Sequence, residues 1–207
     1  MQKKRKIITS RKLHTEIKNH LQTSIDTKLR MIHDCIPAID SAAQIIAQSL
    51  AEGHKLLLCG NGGSAADSQH LAAEFIVRLS EARIRPSLPA IALTTDTSVL
   101  TACSNDFGYD QIFSRQVEGL GQAGDVLIAI TTSGNSKNVI QAIDIARQKG
   151  MKIIGLLGGS GGHVRALCDV PIIIPAQVTH FIQEGHLAVE HILCNLVEML
   201  LFDNPPK

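Results

Sequence analysis

Asp125-Val126-Leu127-Ile128-Ala129-Ile130-Thr131-Thr132-Ser133-Gly134-Asn135-Ser136 is the stretch that decides the fold. Its first seven residues are a short, almost wholly apolar run, as in a strand buried on both faces of a parallel sheet. Residues 55–59, 90–93, 152–157 and 170–174 repeat that rhythm, and helical stretches at 65–79, 111–120 and 138–149 lie between most of them. Strand and helix in alternation predict an α/β fold: a doubly wound, five-stranded parallel sheet. Upstream, Ile17, Leu21, Ile25, Leu29 and Ile32 recur at threes and fours. Pro37 breaks that helix, a second runs to Leu50, and Gly53 ends it. A long helix over 181–201 closes the chain. The expected architecture is the sheet with an N-terminal helical pair and a long C-terminal helix.

Composition narrows the function. Of 207 residues, 44% are hydrophobic and 19% charged, enough for one core and too apolar for wholesale disorder. The net charge is +1, yet Lys3, Lys4, Arg5, Lys6, Arg11 and Lys12 crowd the first twelve residues without an acid, which leaves −5 for the rest. Residues 1–12 read as a basic, disordered arm and 13–207 as a single domain. A mildly acidic body with one Tyr and no Trp is not a nucleic-acid surface. No apolar run approaches the roughly 20 residues of a membrane span. Cys35, Cys59, Cys103, Cys168 and Cys194 form no Cys-x-x-Cys pair and read as reduced, mostly buried thiols of a cytoplasmic protein.

Two strand ends carry chemistry. Cys59-Gly60-Asn61-Gly62-Gly63-Ser64 precedes a helix, so its glycines bring main chain close to a ligand, and the helix N-terminus offers free N–H groups to an anion. Thr131-Thr132-Ser133-Gly134-Asn135-Ser136 sets four hydroxyls around one glycine, more than an N-cap needs, and suits a phosphate monoester. Neither is a nucleotide motif: there is no G-x-x-x-x-G-K-[ST], and Ala65 occupies the third glycine position of G-x-G-x-x-G. His70 and Glu74 share a helix face, either as a surface pair or as ligands of a divalent metal. The last helix offers Gln183, Glu184, His186, Glu190 and His191. Periodicity favours His186 with Glu190, because Gln183 and His191 stand about 80° and about 12 Å apart. Asn105 and Asp106, in a loop over 104–108, are read as sugar-binding or as an Asx turn.

Together these segments, with Gln69-His70 and Glu74, Asn105-Asp106-Phe107-Gly108 and Ile182-Gln183-Glu184, resemble the sugar isomerase (SIS) domain family and, within it, the phosphoheptose isomerase branch. The resemblance spans residues 13–202. It implies a cytoplasmic homotetramer with active sites between subunits. It implies interconversion of sedoheptulose 7-phosphate and D-glycero-D-manno-heptose 7-phosphate, the start of heptose supply to lipopolysaccharide and related glycans. By position, Ser64, Thr131, Thr132, Ser133 and Ser136 hold phosphate, and Asn61, Gly62, Gly63, Asn105 and Asp106 contact the substrate. His70, Glu74, Gln183 and His191 hold zinc. Glu74, which also touches substrate, and His191 are the acid–base pair. The chain departs from the family pattern at Phe181, where Arg is frequent, and at Gly185, where a larger apolar residue is usual. The alternative is a non-catalytic tetramer of the same fold that binds a replication initiator. That branch lacks the acid found here at Glu74. A sugar-phosphate sensor with a helix-turn-helix domain has no room in 207 residues.

Overall fold

Every residue of β1 (Leu56–Gly60) and β3 (Val126–Thr131) is buried, so neither strand has a wet face. β4 (Lys152–Gly158) is buried from Ile153 onward. The computed structural model describes residues 10–81 and 83–203. With β2 (Ala90–Ala92) and β5 (Val170–Ile174), these strands form one sheet in the order β2-β1-β3-β4-β5, with every neighbouring pair parallel.

The pleat sorts side chains into two cores. Leu56, Leu58, Val126, Ile128, Ile130, Ile154 and Leu156 face α2 (Ile36–Ala51), α3 (Gly63–Ile76) and α7 (Thr179–Phe202). Leu57, Cys59, Leu127, Ala129, Ile153 and Leu157 face α4 (Thr97–Asp106), α5 (Ser114–Leu120) and α6 (Lys137–Gln148). The doubly wound sheet is therefore as expected. Its strand order reverses between β1 and β3, which makes the carboxyl ends of those two strands the switch-point crevice where ligands bind in such sheets. Both hydroxyl- and glycine-rich loops open there.

Local differences have local causes. The helix expected over 111–120 is a 3-10 turn at Tyr109–Gln111 followed by α5, because Ile112 and Phe113 turn into the core between them. Asn105 and Asp106 lie in the last turn of α4, not in a loop; Asp96 caps that helix by accepting from the Val99 N–H, and it runs on to Asp106. Pro37 stands in the first turn of α2, where its missing N–H costs nothing. α7 is, by length and composition, a helix that could cross a membrane, contrary to the expectation that no segment qualifies. Its apolar face is core instead, with Val189, Leu193, Cys194 and Val197 fully buried.

α1 (Ser10–Asp34) begins three residues earlier than expected and takes in Arg11 and Lys12; the rest of the basic arm lies outside the described residues. Its apolar seam does not face the core. Leu13, Ile17, Leu21, Ile25, Leu29 and Ile32 are all about half exposed, while only Thr27 and Met31 are buried. The helix is held to α7 by polar and ring contacts. Ser24 Oγ donates to Glu184 Oε2 at 2.6 Å, His20 Nε2 meets Glu184 Oε1 at 3.0 Å, and the His20 ring packs on Phe181 with centroids 4.7 Å apart. The Ser24 bond holds the Glu184 carboxyl below its usual range. Phe181 is thus a joint between α1 and α7.

Gly185 also has a packing reason. A Cβ there would lie 2.6 Å from Ile174 Cγ2, so the absent side chain lets α7 lie close on β5.

Candidate active site

At the end of β3 the hydroxyls gather. Thr131 Oγ1 stands 3.1 Å from Ser136 Oγ and 3.5 Å from Ser133 Oγ, and the Asn135 N–H donates to Ser133 Oγ. Gly134 has φ +64, and a Cβ on it would strike the Gly161 carbonyl, so only glycine fits this close crossing of two loops. Neither α3 nor α6 has a side-chain cap hydrogen bond at its N-terminus. The Ser64 and Ala65 N–H groups of α3 are taken by the Asn61 and Gly62 carbonyls and the Val139 N–H of α6 by Asn138 Oδ1, so what these helix ends offer an anion is chiefly the positive end of the dipole. Ser64 and Thr131 are buried, while Ser133, Gly62 and Gly63 are exposed.

The two loops are tied to each other. Asn61 and Asn138 exchange reciprocal amide hydrogen bonds of 2.9 Å, and Tyr109 Oη donates to Asn61 Oδ1 at 2.8 Å. Asn61 is therefore a strut whose side chain is largely spent on neighbours. A third loop, absent from the sequence reading, backs the hydroxyls. Gly158, Ser160, Gln177 and Thr179 join Thr132 and Ser133 around a cavity of about 280 Å³. The glycine run 158–162 was the available signal for it.

The other half of the site lies between α3 and α7. Asp67, His70 and Glu74 share one face of α3. His70 Nε2 lies 2.9 Å from His191 Nε2 and 3.8 Å from Glu74 Oε1. Gln183 rests against Gly63, and its Nε2 donates to Asp67 Oδ1 at 3.1 Å. Burial raises the Asp67 carboxyl above its usual range, with the Gln183 bond and His70 opposing. His70, Glu74 and His191 are thus brought together, and Gln183 stands one turn of α3 away, at Asp67.

His186 and Glu190 do not form the pair that periodicity favours. Both are fully buried. His186 meets the Leu157 carbonyl through Nε2 at 3.0 Å, and burial pushes its imidazole down to about 4, so at neutral pH it is uncharged and donates that bond. Glu190 has neither oxygen hydrogen-bonded, and burial, helped by Asp67, pushes its carboxyl up to about 9.

Asn105 and Asp106 are hydrogen-bonded to each other at the end of α4. Asn105 Nδ2 donates to Asp106 Oδ1, and Asp106 lines a separate, mostly apolar cavity of about 640 Å³ between β2, α4 and α5.

The donors between α3 and α7 suit a divalent metal. Two imidazole nitrogens converge, and Glu74 Oε2 is buried without a partner. Nitrogen and carboxylate ligands of this kind are what zinc takes. Among the described residues no group of three or more His, Cys, Asp and Glu side chains is placed to hold a metal ion as it stands.

The SIS domain pattern matches residues 19–158. A phosphoheptose isomerase from Rhodospirillum rubrum is 52% identical over 90% of this chain and 97% of its own length. The chain belongs to the phosphoheptose isomerase family of SIS-domain proteins. Two solved phosphoheptose isomerases share its shape. The Neisseria gonorrhoeae structure has a TM-score of 0.84 and 42% identity, covering 90% of this chain and 98% of that one. The Francisella tularensis structure has a TM-score of 0.87 and 37% identity, covering 93% and 100%. Within this SIS domain, sequence reasoning found the two loops and the His-Glu pair. It missed Asp67, Tyr109 and Asn138, which pair with a site residue only once the chain is folded.

Proposed function

We propose that this protein is an aldose–ketose isomerase that converts sedoheptulose 7-phosphate to D-glycero-D-manno-heptose 7-phosphate, supplying heptose for lipopolysaccharide or a related glycan. The observation that carries the reading is the meeting of His70, Glu74 and His191 between α3 and α7, in a fold whose strand ends offer a hydroxyl-rich anion site. The relatives named above support the choice of substrate.

The chemistry follows from the groups. Thr131, Thr132, Ser133, Ser136 and Ser64, with the uncapped ends of α3 and α6, grip the phosphate, and that binding energy orients the sugar. Ketose and aldose differ by a proton moved between C1 and C2 and another moved between their oxygens. Glu74, with a buried, unpartnered carboxyl oxygen, takes the carbon-bound proton and returns it to the neighbouring carbon. His191, half-buried beside it, hands a proton between the substrate oxygens. Gly62 and Gly63 let main chain approach the sugar, and Asn61 holds the first loop against Asn138. His70, Glu74 and His191, with the Gln183 amide oxygen, would hold one zinc ion per subunit. The chemistry such a metal would supply is Lewis-acid polarisation of the substrate carbonyl. Asn105 and Asp106 would contact the sugar.

The exposed seam of α1 supports assembly through that helix, which we read as the tetramer contact. Five free cysteines and a phosphosugar substrate support a cytoplasmic location. The non-catalytic reading is disfavoured, because the acid and both histidines are present and adjacent.

The test is turnover of sedoheptulose 7-phosphate by the purified protein, after chelation and again after zinc is restored. Turnover that zinc restores is the expected result. Turnover indifferent to chelation removes the metal and keeps the isomerase. A folded protein without turnover overturns the reading.

A further inference from the structure

Arg85 lies in the segment between α3 and β2, and its side chain is 1% exposed. It makes four hydrogen bonds. Nε donates to Glu198 Oε1 at 2.7 Å, Nη1 to the carbonyls of Phe75 at 2.8 Å and Pro86 at 2.9 Å, and Nη2 to the carbonyl of Glu74 at 2.8 Å. Glu198 is itself buried and lies on α7, two turns beyond His191.

The last carbonyls of a helix have no partner within it, and here a buried guanidinium takes two of them. One belongs to Glu74. The same cation is anchored to α7 by a charge-assisted bond, so a single side chain joins the helix that carries Glu74 to the helix that carries His191. Only a planar fork of donors reaches all of these acceptors at once. A buried ion pair is weak evidence of a purely stabilising role, since its desolvation cost is large.

We propose that Arg85 is a positioning residue for the isomerase reaction, with Glu198 as its counter-ion. The pair fixes the last turn of α3 against α7 and thereby sets the Glu74 carboxyl relative to His191. The proposal rests on the reading of Glu74 as the proton carrier.

Arg83 provides the internal control. It ties the same segment to the end of α7, donating to the Glu198 carbonyl at 3.0 Å, standing 3.6 Å from Glu198 Oε2 and pairing with Asp203, yet it makes no hydrogen bond to α3 among the described residues. Arg83→Ala therefore loosens the segment and takes one of two cations from Glu198, while the Arg85 bonds to the Phe75 and Glu74 carbonyls stay in place.

The experiment measures kcat, KM and melting temperature for the full-length wild type, Arg85→Ala, Arg85→Lys and Arg83→Ala, with sedoheptulose 7-phosphate as substrate. In Arg85→Ala, kcat falls about tenfold to hundredfold while KM stays within about twofold, the pattern of a misplaced group. Arg85→Lys keeps the charge beside Glu198 and regains melting temperature, but not kcat. Arg83→Ala melts lower with kcat within about twofold of wild type. If Arg85→Ala does not fold, Arg85→Lys alone carries the test. Wild-type kcat in Arg85→Lys, or equal kcat losses in Arg83→Ala and Arg85→Ala, overturns the proposal. A wild type without turnover defeats the isomerase reading itself, an outcome distinct from failure of the clamp.

Discussion

In the function proposed above the strand-end loops and the α3–α7 seam divide the labour of one site, and they are built in opposite ways. At the loops, binding comes from contiguous residues: hydroxyls, glycine backbone and two uncapped helix ends, all neutral or dipolar and partly open to solvent. At the seam, groups more than a hundred residues apart meet between two helices, and other ionisable groups nearby on α3 and α7 are pressed into the protein. Asp67 and Glu190 are raised and His186 is lowered, each chiefly by burial. A phosphate can be held by groups that never change charge. A proton can be moved only by groups that do.

Breaking the seam should cost the most. Glu74→Gln lowers kcat about a thousandfold, within the range of a lost general base, without unfolding the protein. Stopped or steady-state conversion assays read this directly. At the loops the loss should fall on binding instead. Ser133→Ala removes one phosphate donor and raises KM about tenfold, with a smaller change in kcat. If the two variants show the same kinetic pattern, the division of labour is wrong.

A third prediction concerns stability and the buried His186. Its folded-state pKa of about 4 lies below the ordinary value of 6.5. The folded chain therefore binds fewer protons than the unfolded chain between those values. The His186 contribution to stability is full above about pH 6.5 and falls as pH drops toward 4, by up to about 3 kcal/mol. His186→Gln flattens that acid limb in urea melts at stepped pH. An unchanged slope would place its origin elsewhere.

The smallest effect belongs to Gly185. Gly185→Ala gains about 1 kcal/mol of helix propensity but drives a methyl into Ile174, and overpacking of this kind costs about 1–3 kcal/mol. A net loss of about 1 kcal/mol in denaturant midpoints follows.

The contrast also explains what the sequence revealed. The strand at 125–131 and its hydroxyl loop were legible because burial on both faces and ligand chemistry are written in adjacent residues. The interval from His70 to Glu74 was visible for the same reason. Periodicity on the last helix was not enough, and His186 with Glu190 looked like the functional pair. The structure turns both into the core, where the Leu157 carbonyl takes the imidazole hydrogen bond. Which face of α7 meets α3 depends on Gly185 lying on Ile174 and Gly63 receiving Gln183, contacts that no single helix specifies. The α1 seam misled in another way. Leu13 to Ile32 has the spacing of a core helix, yet its apolar face looks outward because α1 is held by Glu184, His20 and Phe181 on its other side.

The most direct test of the divided site is to measure substrate binding and turnover on the same variant. Titration calorimetry of Glu74→Gln with sedoheptulose 7-phosphate, beside a conversion assay, separates grip from chemistry. The account predicts a Kd within a few-fold of the wild-type value and almost no product. Loss of binding together with turnover, or product formed at a near wild-type rate, would contradict it.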